Sequence, residues 1–337
     1  MRCALLALLA ALLVGCSSGN DTSPTSDTKK PEDAKSDGTT FKVALLTPGP
    51  VSDAGWSAMA YDGLQAIKTE MSAEVDNQEA KDTQIKDSMR AYAQKGYNLV
   101  FGHGFEYNEA GVEVAKDFPN TVFVSSSGGK TAENAGAFRF YLEQSFYLAG
   151  ILAAEMSKTG TVGTVSVQNY PSIVSTLKAF EAGAKAAKPG IKVLNPVYFG
   201  TEGDVAAAKR ATETIIAQGA DFVIHQANSA AQGVFDAAKE KKIYAFGSNA
   251  DQNSNPSGAV IASATIVARP AFLELAKQVK AKTFKGSVVL MGMKEGTIDF
   301  VINPALKDKV PAEVLAKIEK AKADILSGKL VVPKDNF

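Results

Sequence analysis

The sequence predicts an α/β protein of two similar, doubly wound parallel-sheet lobes joined by a hinge, and three observations carry that expectation. Short apolar strands alternate with segments of helical spacing along most of the chain. The alternation breaks near Lys158-Thr159-Gly160 and then restarts. The tail supplies single strands, not a third series. Short strands linked by crossover helices form parallel sheets. A tail that returns to the first lobe makes several chain crossings, and these form a hinge beside a cleft where small ligands bind.

The first series opens with the buried strand Phe41 to Thr47, ended by Pro48-Gly49-Pro50. Ser57 to Met71 has helical spacing through Met59, Leu64 and Ile67. Asn98 to Phe101 and Thr121 to Val124 are further short strands, and Glu143 to Ser157 is an apolar helix. The second series begins with strand Thr161 to Val165 and helix Ser172 to Ala187. It continues with strand Ile191 to Leu194, helix Asp204 to Gln218, strand Asp221 to His225, helix Ala230 to Lys241 and strand Ile243 to Phe246. Ala259 to Ile266 and Ser287 to Met291 are strands added to existing sheets. The expected lobes are 41–158 plus about 262–290, and 159–261 plus about 291–337.

The first residues read as an export signal over 1–15. Arg2 precedes an uncharged apolar run, Ala4 to Val14, which is shorter than the roughly 20 residues a spanning helix needs. The run ends in Leu13-Val14-Gly15-Cys16, an order that resembles the bacterial lipobox, with Cys16 as the lipidated residue. The chain has only two cysteines, Cys3 and Cys16, so the processed body would have no disulfide, Cys metal site or Cys nucleophile. Residues 16–40, rich in Ser, Thr, Asp, Lys, Gly and Pro, read as a disordered tether. Together these features predict an exported protein held on a membrane by lipid.

About 300 residues remain beyond the tether, enough for one large or two medium domains. A formal net charge of zero gives no basic field for nucleic acid. The enzyme and cofactor motifs fail one by one. Gly129-Lys130-Thr131 lacks the P-loop glycine, since Val124 stands there. Gly102-His103-Gly104 follows a strand but has Tyr107 at the third glycine position of a dinucleotide fingerprint. The two histidines, His103 and His225, sit at or just past strand ends and in no metal-ligand spacing. Ser125-Ser126-Ser127 has no base nearby in sequence, and there is no Gly-x-Ser-x-Gly elbow. The expectation is a non-enzyme without metal or cofactor.

Ser52-Asp53-Ala54-Gly55-Trp56 follows the first strand and opens the first helix. Asp53 can cap that helix or accept hydrogen bonds from a ligand. Trp56, the only Trp, is either a half-buried packing residue or a flat platform for a planar or sugar-like ligand.

At these residues the sequence resembles the basic membrane protein family, the purine-nucleoside-receptor-like binding lipoproteins of ABC importers. The marks are Asp53-Ala-Gly-Trp56, Gly102-His-Gly-Phe105-Glu-Tyr107, Gln144-Ser-Phe-Tyr-Leu-Ala-Gly150, Phe246-Gly-Ser-Asn-Ala-Asp-Gln252 and Gly292-Met-Lys-Glu-Gly296. The resemblance covers essentially the whole body and implies a type I periplasmic-binding-protein fold, with a purine nucleoside or nucleobase between the lobes. It implies that Trp56 stacks on the base, Asp53 reads its edge, Asp251 holds ribose hydroxyls and Lys294 donates a hydrogen bond. Phe105, Glu202, Asn228 and Asn249 complete the expected ligand contacts.

Two positions depart from the family pattern. The second aromatic of the sandwich is replaced by Glu202 in Gly200-Thr-Glu-Gly-Asp204, with Tyr198 or Phe199 as its possible substitute. The first carboxylate of the second-lobe loop is Asn249. The resemblance implies a monomer that captures a small solute by domain closure and delivers it to an ABC permease. A signalling receptor of the same fold and a secreted nucleoside hydrolase are the alternative expectations.

Overall fold

The computed structural model describes residues 40–336 apart from Ala54 and Glu202. The expected signal peptide, the tether up to Thr39, Cys16 and Glu202 lie outside the described residues. Within them the chain runs β1 (Lys42–Thr47), α1 (Trp56–Met71), β2 (Glu74–Glu79), α2 (Gln84–Gln94), β3 (Leu99–Gly102), α3 (Glu106–Ala115), β4 (Val122–Ser125), β5 (Ala135–Phe140) and α4 (Glu143–Met156). It continues with β6 (Thr161–Ser166), α5 (Pro171–Ala187), β7 (Lys192–Val193), β8 (Val197–Tyr198), α6 (Val205–Ala217), β9 (Phe222–Gln226), α7 (Ala231–Lys241) and β10 (Tyr244–Asn249). The last elements are β11 (Val260–Ile266), α8 (Arg269–Lys280), β12 (Val288–Met291), β13 (Ile298–Ile302) and α9 (Ala312–Leu326).

Two sheets result. The first has the order β12-β5-β4-β3-β1-β2, and the second β13-β11-β10-β9-β6-β7, with β8 also on β6. Every pair is parallel except β11 with β13. The central strands are buried along their length, so they read as continuous apolar runs such as Val43 to Leu46 and Phe222 to Ile224. β2 is a polar edge strand, Glu-Val-Asp-Asn-Gln-Glu, in register with β1 through Val43 and Val75. Charge on an edge blocks further pairing, and the same charge conceals the strand from a search for apolar runs. The expected strand Ile191 to Leu194 shrinks to β7, and a further short strand, β8, pairs with a different part of β6.

The lobe boundaries differ from expectation. β11 pairs with β10 in the second sheet, so the chain leaves that lobe after Ile266 and not near residue 262. α4 packs on α5, so the first crossing lies between Phe140 and Glu143, not at Lys158 to Gly160. Two glycines explain how closely these helices meet. A Cβ on Gly150 would stand 2.1 Å from the Phe180 carbonyl oxygen, and one on Gly183 would stand 2.0 Å from that of Tyr147. An apolar helix all round, such as α4, needs this kind of cover. The break in the alternation misplaced the crossing because α4 follows the first sheet in sequence but packs with the second.

Three crossings join the lobes, at Tyr141-Leu142, Val267-Ala268 and Gly292 to Thr297. They are tied to one another by hydrogen bonds. The Tyr141 N–H donates to the Met291 carbonyl at 2.7 Å, Val267 N–H to Thr297 O at 2.8 Å, and Met293 N–H to Gln144 Oε1 at 2.7 Å. The C-terminal segment crosses the same region. Val332 is buried and its carbonyl accepts from the Tyr141 hydroxyl. No described helix is long and apolar enough to cross a membrane.

Candidate functional site

A cavity of about 450 Å³ opens between the lobes, within the size range of small-molecule sites. It lies at the carboxyl ends of the parallel strands, the expected place in open α/β sheets. The first lobe contributes Trp56, Phe105, Arg139 and Phe140, among others, and the second lobe Gln168, Tyr170, Thr176, Gln226, Asn228 and Asn249. At the mouth the lobes touch, since a Cβ on Gly55 would sit 3.7 Å from Asn228 Cα.

Asp53 turns its carboxylate toward the backbone. Its Oδ1 accepts from Gly55 N–H and Ala58 N–H and its Oδ2 from Ser57 N–H, each at 2.9 Å. It thereby satisfies donors that the first turn of α1 would otherwise leave open. Of the two roles open to it in sequence, the geometry places it as the cap. Trp56, first residue of α1, is half-buried and lines the cavity. Its ring lies on that of His103 at 3.9 Å between centroids and 21° between planes, with Phe140 edge-on at 6.2 Å. Its indole N–H donates to the His103 carbonyl at 3.0 Å. What remains to the cavity is an indole with its polar atom engaged.

Across the cavity stand three carboxamides. Asn249 Nδ2 donates to Asn228 Oδ1 at 3.1 Å and lies 3.4 Å from Gln226 Oε1, while Gln226 Nε2 donates to Thr176 Oγ1 at 3.2 Å. Asn228 and Asn249 both hold left-handed backbone, at φ 45° and 69°. Asn tolerates that conformation better than other side-chain-bearing residues, and two such residues in contact on a cleft wall are backbone strain gathered at one place. Asn249 at the family's carboxylate position is therefore an integral part of an amide cluster.

Charged residues also line the cavity at Lys81, Asp82 and Glu106, and the buried pair among them is Arg139 with Glu143. Arg139 Nη2 donates to Glu143 Oε1 at 2.5 Å, and the Ser175 hydroxyl donates to the same oxygen at 2.5 Å. Burial pushes the Glu143 carboxyl up despite the guanidinium, and burial also pulls Arg139 down. Desolvation thus outweighs the attraction in each partner, as it does for buried ion pairs generally.

Other expected contacts fall elsewhere. Asp251 is exposed and its carboxylate accepts from Asn253 N–H at 3.0 Å, which closes a local turn. It borders a separate depression with Ala58 and Asp62. Lys294 is exposed on the crossing turn, whose backbone is fixed by Gly292 N–H to Glu295 Oε2 at 2.8 Å. Neither borders the main cavity. Neither Tyr198 nor Phe199 lines the cavity, and Phe199 packs against the second-lobe core. The aromatic that borders the cavity from the second lobe is Tyr170, at the start of α5. It lies just past β6, and the strand-end position was the available signal. Arg139 and Glu143 had a signal too, two opposite charges four apart inside the apolar run Ala137 to Leu142 and its helix.

Sequence left Ser126 without a base, but the fold brings one. Its hydroxyl lies 2.7 Å from His103 Nδ1. The pair is nevertheless sealed, with His103 at 0% and Ser126 at 1% exposure. Burial lowers the His103 pKa to about 3, so the ring is neutral. His225 is likewise buried beside Phe235 and lowered to about 4 by burial. Among the described residues no cluster of His, Cys, Asp or Glu could hold a metal ion.

The family described as Bmp, ABC transporter substrate-binding protein PnrA-like, matches residues 40–336. A purine-binding protein of Brucella abortus is 29% identical over 86% of this chain and 82% of its own. The ABC transporter nucleoside-binding protein BmpA of Lactococcus lactis is 29% identical over 96% of this chain and 95% of its own. A solute-binding protein of an ABC transporter system from Conexibacter woesei shares the fold at a TM-score of 0.69 and 24% identity, over 88% of this chain and 99% of its own. The chain belongs to the Bmp family of ABC transporter substrate-binding proteins, a family of binding proteins and not of enzymes.

Proposed function

We propose that this Bmp-family protein captures a purine nucleoside or nucleobase between its lobes and presents it to an ABC permease from a lipid anchor at Cys16. The observation that carries the ligand class is the pairing of wall chemistries across one cavity. Trp56 offers an indole from the first lobe, and Gln226, Asn228 and Asn249 offer neutral carboxamides from the second. A flat ring stacks on the indole, and carboxamides supply both donors and acceptors for the edge of a base. Arg139 is committed to Glu143 and Lys81, the other cation of the lining, bridges to Glu79, which favours an uncharged ligand over a phosphorylated one. Similarity to purine-binding and nucleoside-binding relatives supports the same class.

In this reading Trp56, Phe105, Asn228 and Asn249 touch ligand. Asp53 acts through the position of α1, and Asp251 and Lys294 make no ligand contact. Tyr170 supplies the second aromatic wall. Because the contacts come from both lobes, bound ligand favours the closed form by its differential affinity for that form. The Leu13-Val14-Gly15-Cys16 run supports the anchor.

Calorimetry with adenosine, guanosine, inosine, the free purines and a set of hexoses tests the ligand class. Saturable binding of a purine compound, recovered intact, is the expected result. Binding of a hexose with no response to any purine would overturn the assignment. Palmitate labelling that disappears in Cys16→Ala is expected for the anchor.

A further inference from the structure

Trp56 is a useful platform only if it is held still, and Phe140 of the cavity lining meets it only edge-on, at 6.2 Å. The support comes from behind. His103 lies outside the cavity lining, buried under the indole, and grips Trp56 in three ways. The rings stack at 3.9 Å and 21°. The indole N–H donates to the His103 carbonyl at 3.0 Å. The imidazole Nε2 donates to the Trp56 carbonyl at 2.9 Å. This last bond needs the proton on Nε2, and that tautomer is the one the surroundings select. The Ser126 hydroxyl, 2.7 Å from Nδ1, donates there and leaves Nε2 to carry the proton.

The support is anchored in its own strand layer. His103 N–H donates to the Leu46 carbonyl at 2.8 Å, and Ser126 N–H donates to Gly102 O at 3.0 Å. Phe272 of α8 stands 6.0 Å from the imidazole. Gly102 allows the arrangement, since a Cβ there would lie 2.3 Å from Tyr107 Cβ. The Gly-His-Gly sequence, which resembles a cofactor loop, thus has a packing reason of its own.

We infer that His103 is a positioning residue for ligand recognition: with Ser126 fixing its tautomer, it clamps the Trp56 ring and backbone so that the indole meets the ligand already oriented. The inference rests on the reading of the cavity as an aromatic-ligand site. A platform fixed before binding spares the ordering cost that a free side chain would impose. A neutral ring is required, because protonated Nδ1 would compete with the Ser126 donor. Burial keeps the imidazole neutral despite its bond to the Trp56 carbonyl.

The single indole makes the clamp directly observable. Time-resolved fluorescence anisotropy of ligand-free protein reads Trp56 motion, and calorimetry with adenosine, guanosine and inosine reads affinity. Ser126→Ala, a small change, and His103→Gln should each add fast depolarisation of the indole. Each should raise the dissociation constant by about two- to tenfold. If both variants fold with unchanged anisotropy and affinity and lose only melting temperature, His103 is a packing residue and the inference is wrong. If His103→Gln fails to fold, Ser126→Ala decides by the same two readings. Should Trp56→Ala bind as the parent protein does, or no nucleoside bind at all, the reading of the cavity fails. The anisotropy of the ligand-free variants then still decides whether His103 holds the indole.

Discussion

Arg139 at the end of the first sheet and Glu143 at the start of α4 face each other at 2.5 Å across the first crossing, and the C-terminal segment closes over them. Arg139 Nη1 donates to the Asp335 carbonyl at 2.8 Å, Asp335 N–H donates to Ser175 Oγ at 2.9 Å, and the Asp335 carboxylate meets Lys178 Nζ at 2.7 Å. One buried ion pair thus joins both lobes and the tail. Removing one partner leaves a buried charge alone. Glu143→Ala should therefore destabilise by about 3–5 kcal/mol, measured by urea unfolding. The double variant Arg139→Met, Glu143→Leu should recover much of that loss. A cost below about 1 kcal/mol for Glu143→Ala would mean that water reaches the site.

Asp251 supports a sharper distinction between turn and site. It is exposed and bonded within its own loop. Asp251→Ala should leave nucleoside affinity within about twofold and change stability by about 0.5 kcal/mol or less, as surface changes do. A loss of affinity of tenfold or more in calorimetry would return Asp251 to the ligand contacts.

Stability should fall in mild acid through the two buried histidines. His103 stands at about 3 and His225 at about 4, both below the ordinary 6.5 because burial disfavours the charged form. Above pH 6.5 neither state carries the proton, and the full stability is present. Below it the unfolded chain binds protons that the folded chain refuses, so stability is lost as pH falls. Each histidine contributes a slope of about 1.4 kcal/mol per pH unit until its folded pKa is reached. Glu143, with a raised pKa, acts in the opposite sense. Urea unfolding of His103→Gln should show a shallower pH dependence between 6.5 and 4 than the parent; equal slopes would mean that His103 charges in the folded state.

The strand and helix alternation was legible because buried parallel strands are apolar along their whole length, as in Val43 to Leu46. Some of what escaped lacks that signature, while buried β5 escaped because Arg139 interrupts its apolar run. β2 is polar because it is an edge, and α2 and α3 carry many charges on one face. Lobe membership escaped because it depends on which sheet a strand joins. Val260–Ile266 looks alike in either sheet, and only its register with β10 decides. In the site, Trp56, Phe105, Asn228 and Asn249, to which the family resemblance pointed, all line the cavity. Asp53 was ambiguous because a cap and a ligand acceptor are the same carboxylate at the same place. Tyr170 was missed because the family pattern directed attention to the loop at Glu202.

Tyr170 gives the most direct test of how the cavity is walled. It borders the cavity from the second lobe at the N-terminus of α5, where Pro171 fixes the first helical residue. Tyr198, at 41% exposure and away from the cavity, is the natural control. Aromatic stacking on a base is worth about 1–3 kcal/mol, or roughly ten- to a hundredfold in affinity. Tyr170→Ala should lose that much for a purine nucleoside, and Tyr170→Phe should keep most of it, since the ring and not the hydroxyl forms the wall. Tyr198→Ala should bind as the parent does. Tyr170 is half exposed, so its removal should leave the melting temperature nearly unchanged and an affinity loss would be a site effect. Equal losses in Tyr170→Ala and Tyr198→Ala would show a general weakening of the second lobe. Unchanged affinity in Tyr170→Ala would leave Trp56 as a one-sided platform and shift the specificity to the carboxamides of Gln226, Asn228 and Asn249.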